Sequence, residues 1–162
     1  IHGGCQTSDL FIKTILKGWQ VMATALNSVP ETVIQGIFPW CFTADLYATK
    51  PDYIQALTDF VRSRPAQSLP AFLRQSNAVM AHDVSAQLGR IAAPTQITVG
   101  ALDQITSTRF AVPMKNQIRG AELEVFEGCA HAHIYEKVEE FNQRSLQFLL
   151  RHSGAAAAQE RV

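Results

Sequence analysis

The sequence predicts an α/β chain in which a block of helices precedes a short parallel sheet. Three observations carry this expectation. Apolar residues recur at helical spacing throughout 9–82, with no strand-like run among them. Composition shifts at Pro94, after which two short runs, one β-branched and one alternating, each end at a glycine. A helical pattern follows each run, and strand–helix–strand–helix at this spacing implies parallel strands with crossover helices.

The elements follow in order. Ser8 and Asp9 offer N-cap chemistry, and Ile12, Ile15, Leu16, Trp19, Met22, Ala23 and Leu26 make an amphipathic stripe over 9–26. Asn27-Ser28-Val29-Pro30 breaks that helix, and Pro30 starts the next, with Val33, Ile34, Ile37 and Phe38 as its buried stripe. Pro39-Trp40-Cys41-Phe42 reads as a bulky apolar turn. Thr43 caps a short helix through Leu46 and Tyr47. Pro51 opens another, with Ile54, Leu57, Phe60 and Val61 on one face. Ser68 caps a fifth, with Phe72, Leu73, Ser76, Val79 and Met80 on one side. Strands are expected over 95–99 and 122–126, and helices over 107–118 and 139–150, the last carrying Phe141, Leu146, Phe148, Leu149 and Leu150. Residues 1–8 read as the end of a core strand and a turn, and 153–162 as a frayed tail.

Composition narrows the function. A hydrophobic share of 47% and a charged share of 17% belong to a folded soluble chain, and 162 residues fit one core. Lys plus Arg equals Asp plus Glu at 14 each, so no basic excess drives phosphate binding, and nucleic acid is not an expected partner. No apolar run reaches membrane-spanning length. Three widely spaced cysteines, Cys5, Cys41 and Cys129, argue against a disulfide framework and fit a reducing, cytoplasmic compartment. Paired C-x-x-C spacing is lacking, which argues against a structural zinc site, and His82-Asp83 reads as a helix-terminal His with a cap for the next turn. His133 is the only extra ligand near Cys129 and His131, so no metal and no cofactor is expected.

The chemistry concentrates in two loops. Val99-Gly100-Ala101-Leu102-Asp103 and Glu127-Gly128-Cys129-Ala130-His131 each follow a strand and end in an acid–base residue. Asp103 alone would read as a turn or cap residue, and His131 alone as a loop histidine. In tandem at two strand ends they form a charge-relay pair, Asp103 orienting His131 so that its second nitrogen takes a proton from a nucleophile. Gly100 and Gly128 permit the tight turns such loops need. Trp19, Trp40 and Phe42 are candidates to line an apolar substrate pocket, although aromatics at helical spacing also serve as core.

Pro94-Thr95 through Gly100 and Asp103 to Thr106 resembles the P-T-x-x-x-x-G-x-x-D-x-x-T segment of α/β-hydrolases. Gly120 to His131, with Glu136 and Glu139-Glu140-Phe141-Asn142, resembles the segment carrying their histidine and last helix. The helical block resembles their inserted lid. The likeness is closest to the esterase, enol-lactonase and haloperoxidase-like branch, strong over 91–150 and weaker over the lid. Ser107 stands where the family commonly has Pro, and Ala130 where it commonly has Gly.

The resemblance implies the carboxyl-terminal part of such a fold. It divides the chain into strand end and turn (1–8), helical lid (9–90), α/β core (91–152) and tail (153–162). It also implies a triad in the order Ser, Asp, His, with Asp103 as acid and His131 as base. No G-x-S-x-G occurs in the 162 residues, and Ser63, Ser68 and Ser76 sit in helical or capping contexts. The nucleophile is therefore expected upstream of Ile1. The chain alone is expected to be inactive, and the intact protein to hydrolyse a small-molecule ester or lactone. The alternative is a non-catalytic half-domain that self-associates or binds the missing amino-terminal half.

Overall fold

The computed structural model describes residues 9–153. The expectations for 1–8, for Cys5 and for the tail beyond Ser153 lie outside the described residues. Helix α1 (Leu10–Leu26) is capped by Asp9, whose carboxylate accepts the Ile12 N–H at 3.2 Å. Its buried face is Ile12, Leu16, Trp19 and Ala23, on the expected stripe, whereas Leu26 at its end is exposed.

Helix α2 (Val29–Thr32), a π-helical segment (Val33–Ile37) and α3 (Phe38–Cys41) then run on without a break. Pro39-Trp40-Cys41 is thus helical rather than the expected turn, and the chain leaves the helix only at Phe42. Proline inside a regular helix lacks a donor and crowds the preceding turn. Here the π-helical segment, closed by the Phe38 N–H reaching back to the Val33 carbonyl, widens the ladder just ahead of Pro39. The Gly36 carbonyl in that segment accepts the buried Trp19 indole N–H at 2.9 Å.

Helices α4 (Ala44–Thr49), α5 (Pro51–Ser63) and α6 (Leu69–Ala81) complete the helical block. On α5, Ile54, Leu57 and Val61 pack inward, but Phe60 is exposed. It lies two residues past the buried Thr58, on the opposite side of the helix. On α6, Phe72 and Met80 pack against α1 and Ser76 is buried, whereas Val79 is exposed. A 3-10 turn (Ser85–Arg90), which no periodicity announced, places Leu88 in the core.

Strands β1 (Gln96–Gly100) and β2 (Glu122–Phe126) pair in parallel, with Val99 opposite Val125 and Gly100 opposite Phe126. Helix α7 (Thr108–Gln117) makes the crossover. Ile97, Val99, Leu123 and Val125 pack with Leu88, Ala111 and Ile118 on one face of the sheet. A short α8 (His133–Glu136), not anticipated, precedes α9 (Val138–His152).

The alternation of β2 sends Glu122 and Glu124 to the α9 side, where Arg151 and Arg144 meet them at 2.5 and 2.6 Å. Those ion pairs join α9 to β2. Phe148 turns inward, while Leu146, Leu149 and Leu150, expected on the apolar side, are exposed. Among the described residues no helix is long and apolar enough to cross a membrane.

The helical block and the sheet meet in two apolar clusters. Phe110 of α7 joins Ile12, Leu16 and Trp19, and Ala132, after the second strand, joins Phe38, Phe42 and Leu46. The two strand-end loops are also fastened to each other. Ala101 N–H donates to the Phe126 carbonyl at 3.0 Å, and Leu102 N–H to the Cys129 carbonyl at 2.8 Å. A Cβ on Gly100 would stand 2.0 Å from the Ala130 oxygen and 2.5 Å from the Cys129 oxygen. Gly100 is needed for this close approach. Gly128, at φ 71°, is needed for its left-handed turn and has open space around it.

The two glycines should therefore differ on substitution. Gly100→Ala is expected to destabilise the fold by about 3 kcal/mol through a backbone clash, and Gly128→Ala by about 1 kcal/mol through φ strain alone. Urea unfolding of both variants checks the order, and equal losses would contradict it.

Candidate active site

Asp103 sits in the turn that leaves β1, with its N–H bonded to the Gly100 carbonyl at 3.1 Å. Its side chain is buried, at 2% exposure. Oδ1 accepts the backbone N–H groups of Ile105 at 2.7 Å and Thr106 at 2.9 Å. Oδ2 accepts the Thr106 hydroxyl at 3.0 Å and lies 3.0 Å from His131 Nδ1. Thr106 Oγ1 is itself 3.1 Å from that nitrogen. Burial is the largest influence on Asp103 and raises its pKa. The hydrogen bond and charge of His131, with the two backbone donors, outweigh it and hold the carboxyl below its ordinary value. An ionised Asp103 makes Nδ1 the protonated nitrogen, so Nε2 is the basic one.

The loop around His131 is fixed on both sides. Ala130 N–H donates to Glu136 Oε2 at 2.6 Å, and Ala132 N–H to the Cys41 carbonyl at 2.8 Å. His133 is buried among Phe126, Thr98 and Phe141. Its Nδ1 lies 3.3 Å from the His131 carbonyl and its Nε2 3.1 Å from Thr98 Oγ1. Sequence reading weighed His133 only as a metal ligand; its place under the His131 backbone was signalled by nothing but H-x-H spacing. Thr106 and Glu136 stood in the quoted motifs without an assigned role.

Two cavities open beside the pair, and Asp103 lines both. One, of about 310 Å³, runs along β1 past Thr98, Thr106, His131 and His133. The other, of about 740 Å³, lies between the helical block and the loops, lined by Pro39, Trp40, Phe42, Leu102, Asp103 and Ala130. Trp40 and Phe42 thus come together with the Asp103 loop. Trp19 does not line this cleft; it packs in the core with Ile12, Leu16 and Phe110. None of Ser63, Ser68 and Ser76 lines either cavity.

The two described cysteines are free thiols, Cys129 buried and Cys41 partly so. Burial, with smaller contributions from the charges of Asp103 and Glu136, pushes the Cys41 thiol up to about 12. Burial also raises Cys129, which is 1% exposed. Among the described residues no group of three or more His, Cys, Asp or Glu gathers as metal ligands. Asp83 instead accepts the Ser85 N–H and hydroxyl and starts the 3-10 turn.

No protein-family model matches the sequence. A 2-hydroxy-6-oxononadienedioate/2-hydroxy-6-oxononatrienedioate hydrolase of Paraburkholderia xenovorans is 29% identical over 110 residues, 67% of this chain and 38% of that one. An α/β hydrolase enzyme from a Medee basin deep-sea metagenome superposes with a TM-score of 0.77 at 23% identity, covering 91% of this chain and 54% of that one. The enol-lactonase of Burkholderia xenovorans superposes at 0.70 and 20% identity, covering 82% and 48%. The chain therefore spans about half the length of the solved structures it matches. These likenesses define the class of fold. The chain has the fold of the carboxyl-terminal part of an α/β-hydrolase.

The depressed Asp103 pKa gives stability a direction with pH. A carboxyl whose folded value lies below its unfolded one contributes fully above the unfolded value, about pH 4. That contribution fades as pH falls through the lower folded value. The difference in unfolding free energy between wild type and Asp103→Asn should therefore hold steady from pH 7 to about 5 and narrow below about 4. Curves that stay parallel down to pH 3 would contradict the assignment.

Proposed function

We propose that this chain supplies the acid and the base of a serine hydrolase acting on an ester or lactone carbonyl. The observation that carries the reading is the 3.0 Å bond from His131 to a buried, ionised Asp103, formed at the ends of two adjacent parallel strands. The nucleophile is a serine on a segment amino-terminal to these residues. His131 Nε2 takes the serine proton as Oγ attacks the carbonyl carbon, and Asp103 stabilises the imidazolium. Backbone N–H groups receive the oxyanion. The imidazolium protonates the departing alkoxide, leaving an acyl-serine and a neutral histidine. Water, deprotonated by the same nitrogen, then releases the acid and restores the serine.

The helical block 9–90 acts as the lid. Trp40 and Phe42 form its wall over the 740 Å³ cleft and favour an apolar or aromatic acyl or ring group. The enol-lactonase among the similar solved structures supports a lactone or ester carbonyl as the group attacked. No step calls for a cofactor. The free thiols Cys41 and Cys129 suit a cytoplasmic setting. A second reading, a half-domain that associates with a partner or another copy, is favoured by the exposed Leu146, Leu149 and Leu150 on α9.

The protein bearing the upstream segment should hydrolyse p-nitrophenyl esters. His131→Ala should lower kcat at least about a thousandfold. Trp40→Ala should raise KM for aromatic acyl esters more than it lowers kcat. A His131→Ala variant as active as wild type would refute the reading. An inactive protein that sediments as a dimer through α9 would favour the second.

A further inference from the structure

We infer that Glu136 is a positioning residue that ties the wall of the substrate cleft to His131. The inference rests on the catalytic reading above for its effect on rate, but not for its geometry. One carboxylate oxygen of Glu136, Oε2, accepts the Ala130 N–H at 2.6 Å. The other, Oε1, accepts the Thr43 N–H at 2.7 Å and the Thr43 hydroxyl at 2.8 Å. That hydroxyl also accepts the Leu46 N–H at 3.2 Å, so its donor and one acceptor site are both committed to this link.

On the far side of the histidine, Ala132 N–H is bound by the Cys41 carbonyl at 2.8 Å. The residues before and after His131 are therefore both fastened to one corner of the helical block, residues 41–43. One tie is direct and the other runs through Glu136. That corner lies against the cleft, which Trp40, Phe42 and Thr43 line. Glu136 itself lines neither the cleft nor the cavity beside His131. Its influence on the reaction passes through the histidine, not through contact with substrate. Three donors on one part-buried carboxylate make a strong, directional link. A displacement of a catalytic group by about 1 Å can cost about a hundredfold in rate. An acyl group seated against Trp40 and Phe42 bears on the same corner that sets where His131 stands.

Glu136→Gln leaves one acceptor oxygen and turns an NH2 toward one of the two N–H donors. It should lower kcat about tenfold to a hundredfold, with KM little changed. Glu136→Asp, which keeps the charge, should restore part of that loss. Thr43→Val, which removes the hydroxyl bond to Glu136 and the cap bond from the Leu46 N–H but keeps the Thr43 N–H bond, should cost less kcat than Glu136→Gln and should not add fully to it. The readout that a merely structural role would leave alone is the downfield Nδ1–H proton resonance of His131 in NMR spectra of the protein. It should shift or broaden in Glu136→Gln.

Unchanged kcat and an unchanged resonance in Glu136→Gln would overturn the inference. If that variant does not fold, the same null result in both Glu136→Asp and Thr43→Val overturns it. A shifted resonance in a protein whose wild type hydrolyses no ester would leave the positioning role standing and remove the serine-hydrolase reading alone.

Discussion

The His131 loop crosses the end of β1 at a distance that only glycine allows. The carbonyls of Cys129 and Ala130 lie where a Cβ on Gly100 would be. Backbone bonds from Ala101 and Leu102 close the gap from the strand side. This approach brings two loops, 28 residues apart in sequence, to a 3.0 Å contact between a carboxylate and an imidazole. Everything chemical in the chain hangs on it. Without it Asp103 would be a buried carboxylate with only turn donors to hold it, and His131 a loop residue.

The surroundings then decide what the pair is. Burial works against an ionised Asp103, so the charge survives only because His131, Ile105 and Thr106 all favour it. Burial pushes the Cys41 thiol in the same direction, and there the charges of Asp103 and Glu136 add to it, so the thiol is kept protonated. One buried site thus holds a charged acid and a neutral thiol. Under the proposed function, acid–base work falls to the aspartate and histidine and nucleophilic attack to another group.

Much of this was legible in the sequence. The amphipathic stripe of α1, the two strands and the two chemical residues at their ends are local patterns, each set by a few neighbouring residues. What was not legible was set by residues far away. Pro39-Trp40-Cys41 looks like a turn because a π-helical widening ahead of a proline has no simple signature. Leu146, Leu149 and Leu150 look buried by type but are exposed, while the side of α9 facing β2 carries Arg144 and Arg151 against its carboxylates. Trp19, a pocket candidate by type, packs in the core, where the Gly36 carbonyl satisfies its indole N–H. The Thr43–Glu136 link joins residues 93 positions apart, which no window of sequence could reveal.

The central claim is that Asp103 and His131 activate a serine carried by another part of the protein. Covalent labelling tests it most directly. The protein with its upstream segment is treated with a fluorophosphonate and the adduct is located by mass spectrometry. The account predicts a single phosphonylated serine amino-terminal to these 162 residues, with labelling abolished by His131→Ala. An adduct on a residue within the chain, or labelling indifferent to His131, would contradict it.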